Sequence, residues 1–276
     1  MPSPKDWAYQ DEALVKVSRT FALTIPQLPS PLREVVGNAY LLCRIADTIE
    51  DSTTLSAAEK RLFSQGFSRV IEGSETPEEF ASALAPRLEG GVTPHEVDLV
   101  KNADRVLRIT QSFSDFDRQC LARCVRIMSQ GMAHFQEKGA SQGLQDQAEL
   151  DSYCYYVAGV VGEMLTELFC AHSPTIAERG DQLRPLAVSF GQGLQMTNIL
   201  KDLWDDKRRN VCWLPRSLFS NHQIDLEQLS PHNRPPEFEE GLLHLIGVTV
   251  KHLENAVRYT LLIPKSETGV RRFCLW

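Results

Sequence analysis

Three acids close the stretch LLCRIADTIEDS at residues 41–52: Asp47, Glu50 and Asp51. Aspartate is a weak helix former, and carboxylates gain nothing beside an apolar stripe. Side chains three and four apart share one helix face. Tyr40, Arg44, Asp47 and Asp51 step by 4, 3 and 4, with Glu50 beside them, so the spacing predicts a helix whose polar stripe ends in three carboxylates. Hard divalent cations such as Mg²⁺ take carboxylate oxygens, usually one or two of them plus substrate phosphates. A solvated last turn is the plainer explanation of this motif alone. Against it stands the helix dipole, which is negative at the C-terminus and disfavours acids there unless something offsets them.

A second stretch, GQGLQMTNILKDLWDDKRR, runs from Gly191 to Arg209. Gly191, Gln195, Asn198, Asp202 and Asp206 step by 4, 3, 4 and 4. The pattern predicts one continuous small or polar face on one helix, with Leu194, Met196, Ile199, Leu200, Leu203 and Trp204 supplying the core. Asp205 stands beside Asp206. Two helices that each end in acids are expected to face one another across a cavity and to hold Mg²⁺ ions and a diphosphate.

The elements that must position these residues read as helices. Ser30-Pro31, Thr76-Pro77 and Thr93-Pro94 each place a cap residue before a proline suited to the first helical position. Thr76 with Glu79, Thr93 with Glu96 and Ser56 with Glu59 have capping-box spacing. Helices are expected at about 7–18, 31–51, 57–73, 77–87, 94–111, 115–138, 149–171, 176–206 and 235–262. Strand signals are almost absent, no repeat period is visible, and nothing resembles an interdomain linker. The longest break, about 207–234, suits a flap or surface loop. One all-α domain spanning 1–276 is the economical reading.

Composition narrows the function. The chain is 42% hydrophobic and 24% charged, an ordinary globular balance, with a net charge of −7. That charge argues against a nucleic-acid partner, which would want a basic face. An anionic substrate must be met by local arginines or by metal ions. The N-terminus lacks the apolar core of a signal peptide, and no run of 18 apolar residues is present, so no membrane span is expected. Seven cysteines, scattered and without a CxxC pair, suit reduced buried thiols in a cytoplasm.

With these residues in hand, the chain resembles the squalene/phytoene synthase family of head-to-head isoprenyl synthases. DTIED at 47–51 is similar to the family's first aspartate-rich motif and QMTNILKDLWDD at 195–206 to its second. SRTF at 18–21, YCYYVAGVVGE at 153–163 and RRFCLW at 271–276 resemble three further family segments, in the right order over nearly the whole chain. The last resembles a segment of bacterial squalene synthases, and the last two look more like squalene synthases than phytoene synthases.

The resemblance implies a class I isoprenoid synthase fold, a helical bundle around a central cavity. It implies that Asp47, Glu50, Asp51, Asp202 and Asp206 bind Mg²⁺, with Asn198 and Gln195 holding the metal–diphosphate assembly. It further implies that Arg19 and Arg44 bind diphosphate, that Ser18 bonds a phosphate, that Tyr153 lies near the reacting carbons, and that Phe21 and Tyr40 line the cavity. Read from the residues alone, Tyr153 is equally well a core tyrosine, and Gly159 and Gly162 either pack helices closely or make room for an isoprenoid. The implied reaction joins two farnesyl diphosphates into presqualene diphosphate and reduces it to squalene with NADPH. Dehydrosqualene and phytoene synthases, which use no NADPH, are the nearest alternative. A terpene cyclase or a non-catalytic helical homologue is more remote, and no Glu-x-x-His di-iron motif is present.

Some positions depart from the family pattern. Lys201 stands where Arg is common, and Asn210 where Gly is common, although Asn tolerates a left-handed backbone. No GxGxxG fingerprint locates NADPH. The chain ends at Trp276 in mid-apolar pattern without a helix stop signal, so it is expected to continue in the natural protein. The expected protein is a cytoplasmic monomer in peripheral contact with a membrane.

Overall fold

The computed structural model describes residues 1–18, 20–137, 140–220 and 224–275. Among these the fold is all-α, and β-type pairing is confined to isolated bridges, Leu144 with Pro215 and Ser230 with Asn233. The main helices are α1 (Pro4–Val17), α2 (Leu32–Asp51), α3 (Ala57–Ile71), α4 (Pro77–Leu88), α5 (Pro94–Lys101), α6 (Ala103–Thr110) and α7 (Asp115–Glu137). They continue with α8 (Gln147–Cys154), α9 (Val160–His172), α10 (Gly180–Lys201), α11 (Leu203–Arg208), α12 (Pro236–Leu262) and α13 (Thr268–Leu275).

The caps explain most of the starts. Ser56 with Glu59 and Thr93 with Glu96 close the expected boxes at α3 and α5, and Ser3 with Asp6 closes an unexpected one at α1. Two expectations are corrected. The Thr76 hydroxyl makes no cap bond, so the box with Glu79 does not form. At α2 the cap position falls on Pro31, which has no side-chain acceptor to offer, after a cis Ser30–Pro31 peptide. The expected 94–111 helix is interrupted at Asn102, whose amide donates to the Asp98 carbonyl (2.9 Å) and carboxylate (3.3 Å). Local bonding of this kind competes with the helix ladder. Between α8 and α9 the backbone opens into a π turn, Tyr155–Gly159, which no side-chain pattern foretold.

The chain forms two compact units: Met1–Ala133 with Met164–Gly180 and Ile263–Trp276, and His134–Glu163 with Asp181–Leu262. In the first, α2 is central and packs against α1, α3, α5 and α6. Its Leu41, Leu42, Ile45 and Ile49 are fully buried, each contributing about 2 kcal/mol of apolar burial. Asn38, also fully buried, ties α2 to its neighbours. Its amide donates to Gln10 Oε1 (3.0 Å) and to the Val106 carbonyl (2.9 Å), and its carbonyl accepts from the Thr110 hydroxyl (2.7 Å). A buried amide satisfied in this way fixes register as well as stability.

In the second unit, Phe135, Tyr153, Met196, Ile199, Phe219 and Phe238 share one core. Bare backbone sets its tightest contacts. A Cβ on Gly162 would fall on the Ala187 carbonyl, and one on Gly191 on the Ala158 carbonyl. The Gly162 position is therefore a helix-packing device, the plainer of its two readings. The stretch Gln147–His172 is long and apolar enough to cross a bilayer by length and composition, contrary to the expectation from apolar runs. A core helix has the same profile, and Cys154, Leu168 and Phe169 along it are buried in protein. Five of the seven cysteines are buried, as expected.

Candidate active site

The acidic end of α2 is the most heavily loaded place in the first unit. Tyr40, Arg44, Asp47 and Asp51 lie along one face of α2, as the spacing requires, because the opposite face is committed to the core. Arg44 is half-buried. It donates to the Tyr40 hydroxyl (3.1 Å), sits 5.8 Å from the Tyr40 ring centroid and approaches Glu96 at 3.7 Å, while its Nε has no partner. Tyr40 in turn donates to the Val17 carbonyl (3.1 Å). The guanidinium is thus held by its far edge with donor capacity left over.

Asp47 and Glu50 are half-buried and Asp51 is exposed. Burial pushes the Asp47 carboxyl up to about 7; Arg44 opposes this, and the negative charges of Asp51 and Glu96 add to it. Burial also pushes Glu50 well above its usual range, reinforced by Asp51 and Asp47 and opposed by Lys60. Lys60, from α3, donates its ammonium to the Glu50 carbonyl, where the α2 dipole is negative. Its own pKa is lowered, chiefly by burial.

Sequence reasoning missed Lys60 and the second task of Glu96. One Glu96 oxygen closes the Thr93 cap (2.9 Å to the backbone N–H), and the other faces Arg44. The capping box was legible, but the contact with Arg44 comes only from tertiary packing.

The SRTF segment is placed in part. Arg19 lies outside the described residues. Ser18 is buried and its hydroxyl accepts from the Phe21 N–H (2.9 Å), the first N–H of the short helix Phe21–Thr24. Phe21 packs against Tyr40, with centroids 5.2 Å apart, and against Phe273 at 6.4 Å.

The second unit carries the other acids on α10 and α11. The expected continuous helix bends at Asp202 (φ −95°, ψ 9°), which caps α11. The bend is mild, because Asp202 N–H still donates to the Asn198 carbonyl (2.8 Å) and Asp206 N–H to the Asp202 carbonyl (2.9 Å). Asn198 is exposed, and Gln195, Asp202 and Asp206 are half-buried. Lys201 bridges two of the expected site residues, reaching Asn198 Oδ1 and Asp202 Oδ2, each at 3.4 Å. Met196, Ile199 and Leu203 are buried as expected, but Leu194 is not: it is 45% exposed. Asn210 adopts φ 61°, the left-handed conformation that the sequence allowed it.

Tyr153 belongs to the core of this unit. Its ring stacks on Trp213 (3.9 Å between centroids, 13° between planes) and meets the edge of Phe135 at 5.3 Å. Trp213 is fixed by pairing of its segment with Leu144: Leu144 N–H donates to the Leu214 carbonyl (2.9 Å) and Arg216 N–H to the Leu144 carbonyl (2.7 Å).

No three Asp, Glu, His or Cys side chains form a ready-made metal cage among the described residues. The α2 donors nonetheless fit a hard divalent cation. They are oxygen ligands, crowded and partly desolvated, and Mg²⁺ usually completes its shell with substrate phosphate and water instead of an all-protein cage.

Comparison with known proteins gives the family of the chain. The family model described as squalene/phytoene synthase matches residues 14–276. Squalene synthase 1 of Arabidopsis thaliana is 26% identical over 99% of this chain and 63% of its own length. Squalene synthase BSS of Botryococcus braunii is 32% identical over 99% of this chain and 56% of its own length. The chain therefore spans less than two thirds of these relatives. Among solved structures, a ligand complex of TcSQS superposes with a TM-score of 0.80 at 22% identity, covering 97% of this chain and 75% of that one.

Proposed function

We propose that this chain, which belongs to the squalene/phytoene synthase family, couples two farnesyl diphosphates head to head into presqualene diphosphate and reduces that to squalene with NADPH. The observation that carries the ionisation chemistry is the end of α2. There, half-buried acids raised by burial and by one another stand beside an arginine with spare donors. The squalene product rests on the names of the curated relatives. NADPH enters as the hydride donor that a squalene product requires, and no residue of this chain is assigned to it.

Under this reading, Asp47, Glu50 and Asp51 on α2 would hold Mg²⁺, and so would Asp202, Asp206 and Asn198 of the second unit. Magnesium bound to a diphosphate supplies Lewis-acid stabilisation of the departing charge. Arg44 donates to diphosphate oxygens, a task suited to a planar fork of N–H groups. Tyr40 and Glu96 orient that fork, so little reorganisation is needed when charge develops. Lys201 bridges Asn198 and Asp202, steadying two of the proposed metal-holding groups. Phe21 and Tyr40 keep water from the allylic carbons, whose cation would otherwise be hydrolysed. The apolar substrate and product imply a cytoplasmic protein that meets a membrane at its periphery.

The test incubates the protein with farnesyl diphosphate and Mg²⁺, with and without NADPH, and extracts the hydrocarbons. Squalene is expected with NADPH, and presqualene diphosphate without it. Dehydrosqualene formed regardless of NADPH would overturn the product assignment, and exclusive use of geranylgeranyl diphosphate would move it to phytoene.

A further inference from the structure

Two cations reach the acidic end of α2, and they reach it differently. Arg44 stands on α2 itself and is held by Tyr40 and Glu96. Lys60 comes from α3, is half-buried, and donates to the Glu50 carbonyl in the last turn of α2. A lysine near a helix C-terminus commonly satisfies a leftover carbonyl. An ammonium in open solvent does that at little cost, whereas burying one is costly unless opposite charge offsets it. Here the offsetting charges are those of Glu50 and Asp51, which act on the Lys60 ammonium. The neighbouring Glu59 is committed elsewhere, accepting from the Ser56 N–H (2.9 Å) and pairing with Arg87. The charge of Lys60 is therefore directed at acids proposed above to hold Mg²⁺.

An ammonium and a divalent cation beside the same carboxylates repel one another. Even at the dielectric of water, a single and a double positive charge about 7 Å apart repel enough to lower affinity about tenfold. A diphosphate changes the balance, because its negative charge attracts the ammonium as well as the metal. Lys60 thus opposes a bare cation and tolerates a metal–diphosphate pair. We propose that Lys60 acts as a resident counter-cation of the α2 acids, holding off a divalent cation that arrives alone and admitting one that arrives with diphosphate. This role of Lys60 rests on the metal reading of α2 given above.

The test measures protein-bound Mn²⁺ by equilibrium dialysis of the intact protein, with Mn²⁺ alone and with Mn²⁺ plus inorganic diphosphate, so that turnover is not the readout. Lys60→Met removes the charge and keeps most of the length. Without diphosphate it is expected to bind Mn²⁺ about tenfold more tightly than the unaltered protein. With diphosphate the two should agree within about threefold. Lys60→Arg should match the unaltered protein in both conditions. Where Lys60→Met does not fold, Lys60→Gln, which keeps an N–H donor, takes its place. Adding Glu50→Gln should cancel the gain, which puts the extra ion on α2. Unchanged or weaker Mn²⁺ binding without diphosphate would overturn the proposal and leave Lys60 a helix-end cap, while Mn²⁺ held by the unaltered protein with diphosphate would keep the metal reading standing. A gain of equal size with and without diphosphate would overturn the selectivity. No Mn²⁺ on either protein in either condition would overturn the proposal and the metal reading together.

Discussion

The two acidic helix ends have similar sequences and different physics. At the end of α2, Asp47 and Glu50 are half-buried, crowd one another and Asp51, and are pushed towards protonation, with Arg44 and Lys60 as the opposing cations. At the α10–α11 bend the acids are more open. Asp202 keeps 43% of its side chain in solvent, and Lys201 and Arg208 pair locally with Asp202 and Asp205. The first cluster therefore stores unfavourable electrostatics in the folded state. Stored strain of this kind is found where a ligand is meant to relieve it. On the metal reading proposed above, the comparison makes α2 the end that a cation would change most.

The largest effect tests what the two ends share. Asp47→Asn and Asp202→Asn should each lower turnover of farnesyl diphosphate by two or more orders of magnitude, since each removes a proposed metal-holding carboxylate. Excess EDTA should do the same to the unaltered protein. Steady-state kinetics with Mg²⁺ titration checks this. Wild-type turnover in EDTA, or normal kinetics in both variants, would remove the metal from the proposal.

The next effect concerns how the second cluster is held. Gly191→Ala would drive a methyl group into the Ala158 carbonyl, and rigid backbone cannot yield as a side-chain tip would. A loss of roughly 2–3 kcal/mol is expected, as for other overpacked contacts, read as a shift of the urea midpoint at unchanged slope. Gly73→Ala, where a Cβ meets nothing within 4 Å, should lose less than Gly191→Ala despite the strain of its φ of 79°. An innocuous Gly191→Ala would show that the helix carrying Asp202 is not seated as described.

These positions also show what could be read in advance. The stripe on α2 was legible because its spacing is local: four residues on one helix face need no knowledge of their neighbours. Most helices were legible for the same reason, through caps and prolines. Lys60 and the second task of Glu96 were not, because each reaches the cluster from another helix and looks like an ordinary surface residue in sequence. The bend at Asp202 and the π turn at Tyr155–Gly159 escaped because they are backbone events with no side-chain signature. Tyr153 divided evenly in the sequence, and its stack on Trp213 depends on a bridge between Leu144 and Pro215 that no pattern announces.

A third effect separates the two ends directly. Asp47 has its pKa raised on folding, from an ordinary value near 4 to about 7. Such an acid favours the folded state while protonated and opposes it once ionised. Without metal, its contribution to stability should therefore fall as pH rises from about 4 through about 7. Asp47→Asn should remove that slope and stabilise the metal-free protein at pH 8 by on the order of 1–2 kcal/mol, allowing for solvent screening of a half-buried group. The gain should vanish at pH 4. Asp202→Asn should instead lose the contact of that carboxylate with Lys201. Chemical denaturation at both pH values checks this, and a destabilised Asp47→Asn at pH 8 would mean that the α2 cluster is not under electrostatic load.

The smallest effect guards the other side of the comparison. Asp205 and Arg208 lie three apart on α11 and form an ion pair, with 59% and 69% of their side chains exposed. An exposed pair gains little Coulomb energy in water, loses side-chain entropy and is screened by salt, so Asp205→Ala should cost less than about 0.5 kcal/mol. That small cost should disappear in 1 M NaCl, where the screening length falls to about 3 Å. Asp205 sits in the first turn of α11, where a carboxylate favours the positive end of the dipole, so any residual salt-independent loss reports the helix start and not the pair. A loss above about 1.5 kcal/mol that persists in salt would exceed both terms. It would show that the acids of the second unit are as tightly engaged as those of α2, and the contrast between the two ends would fail.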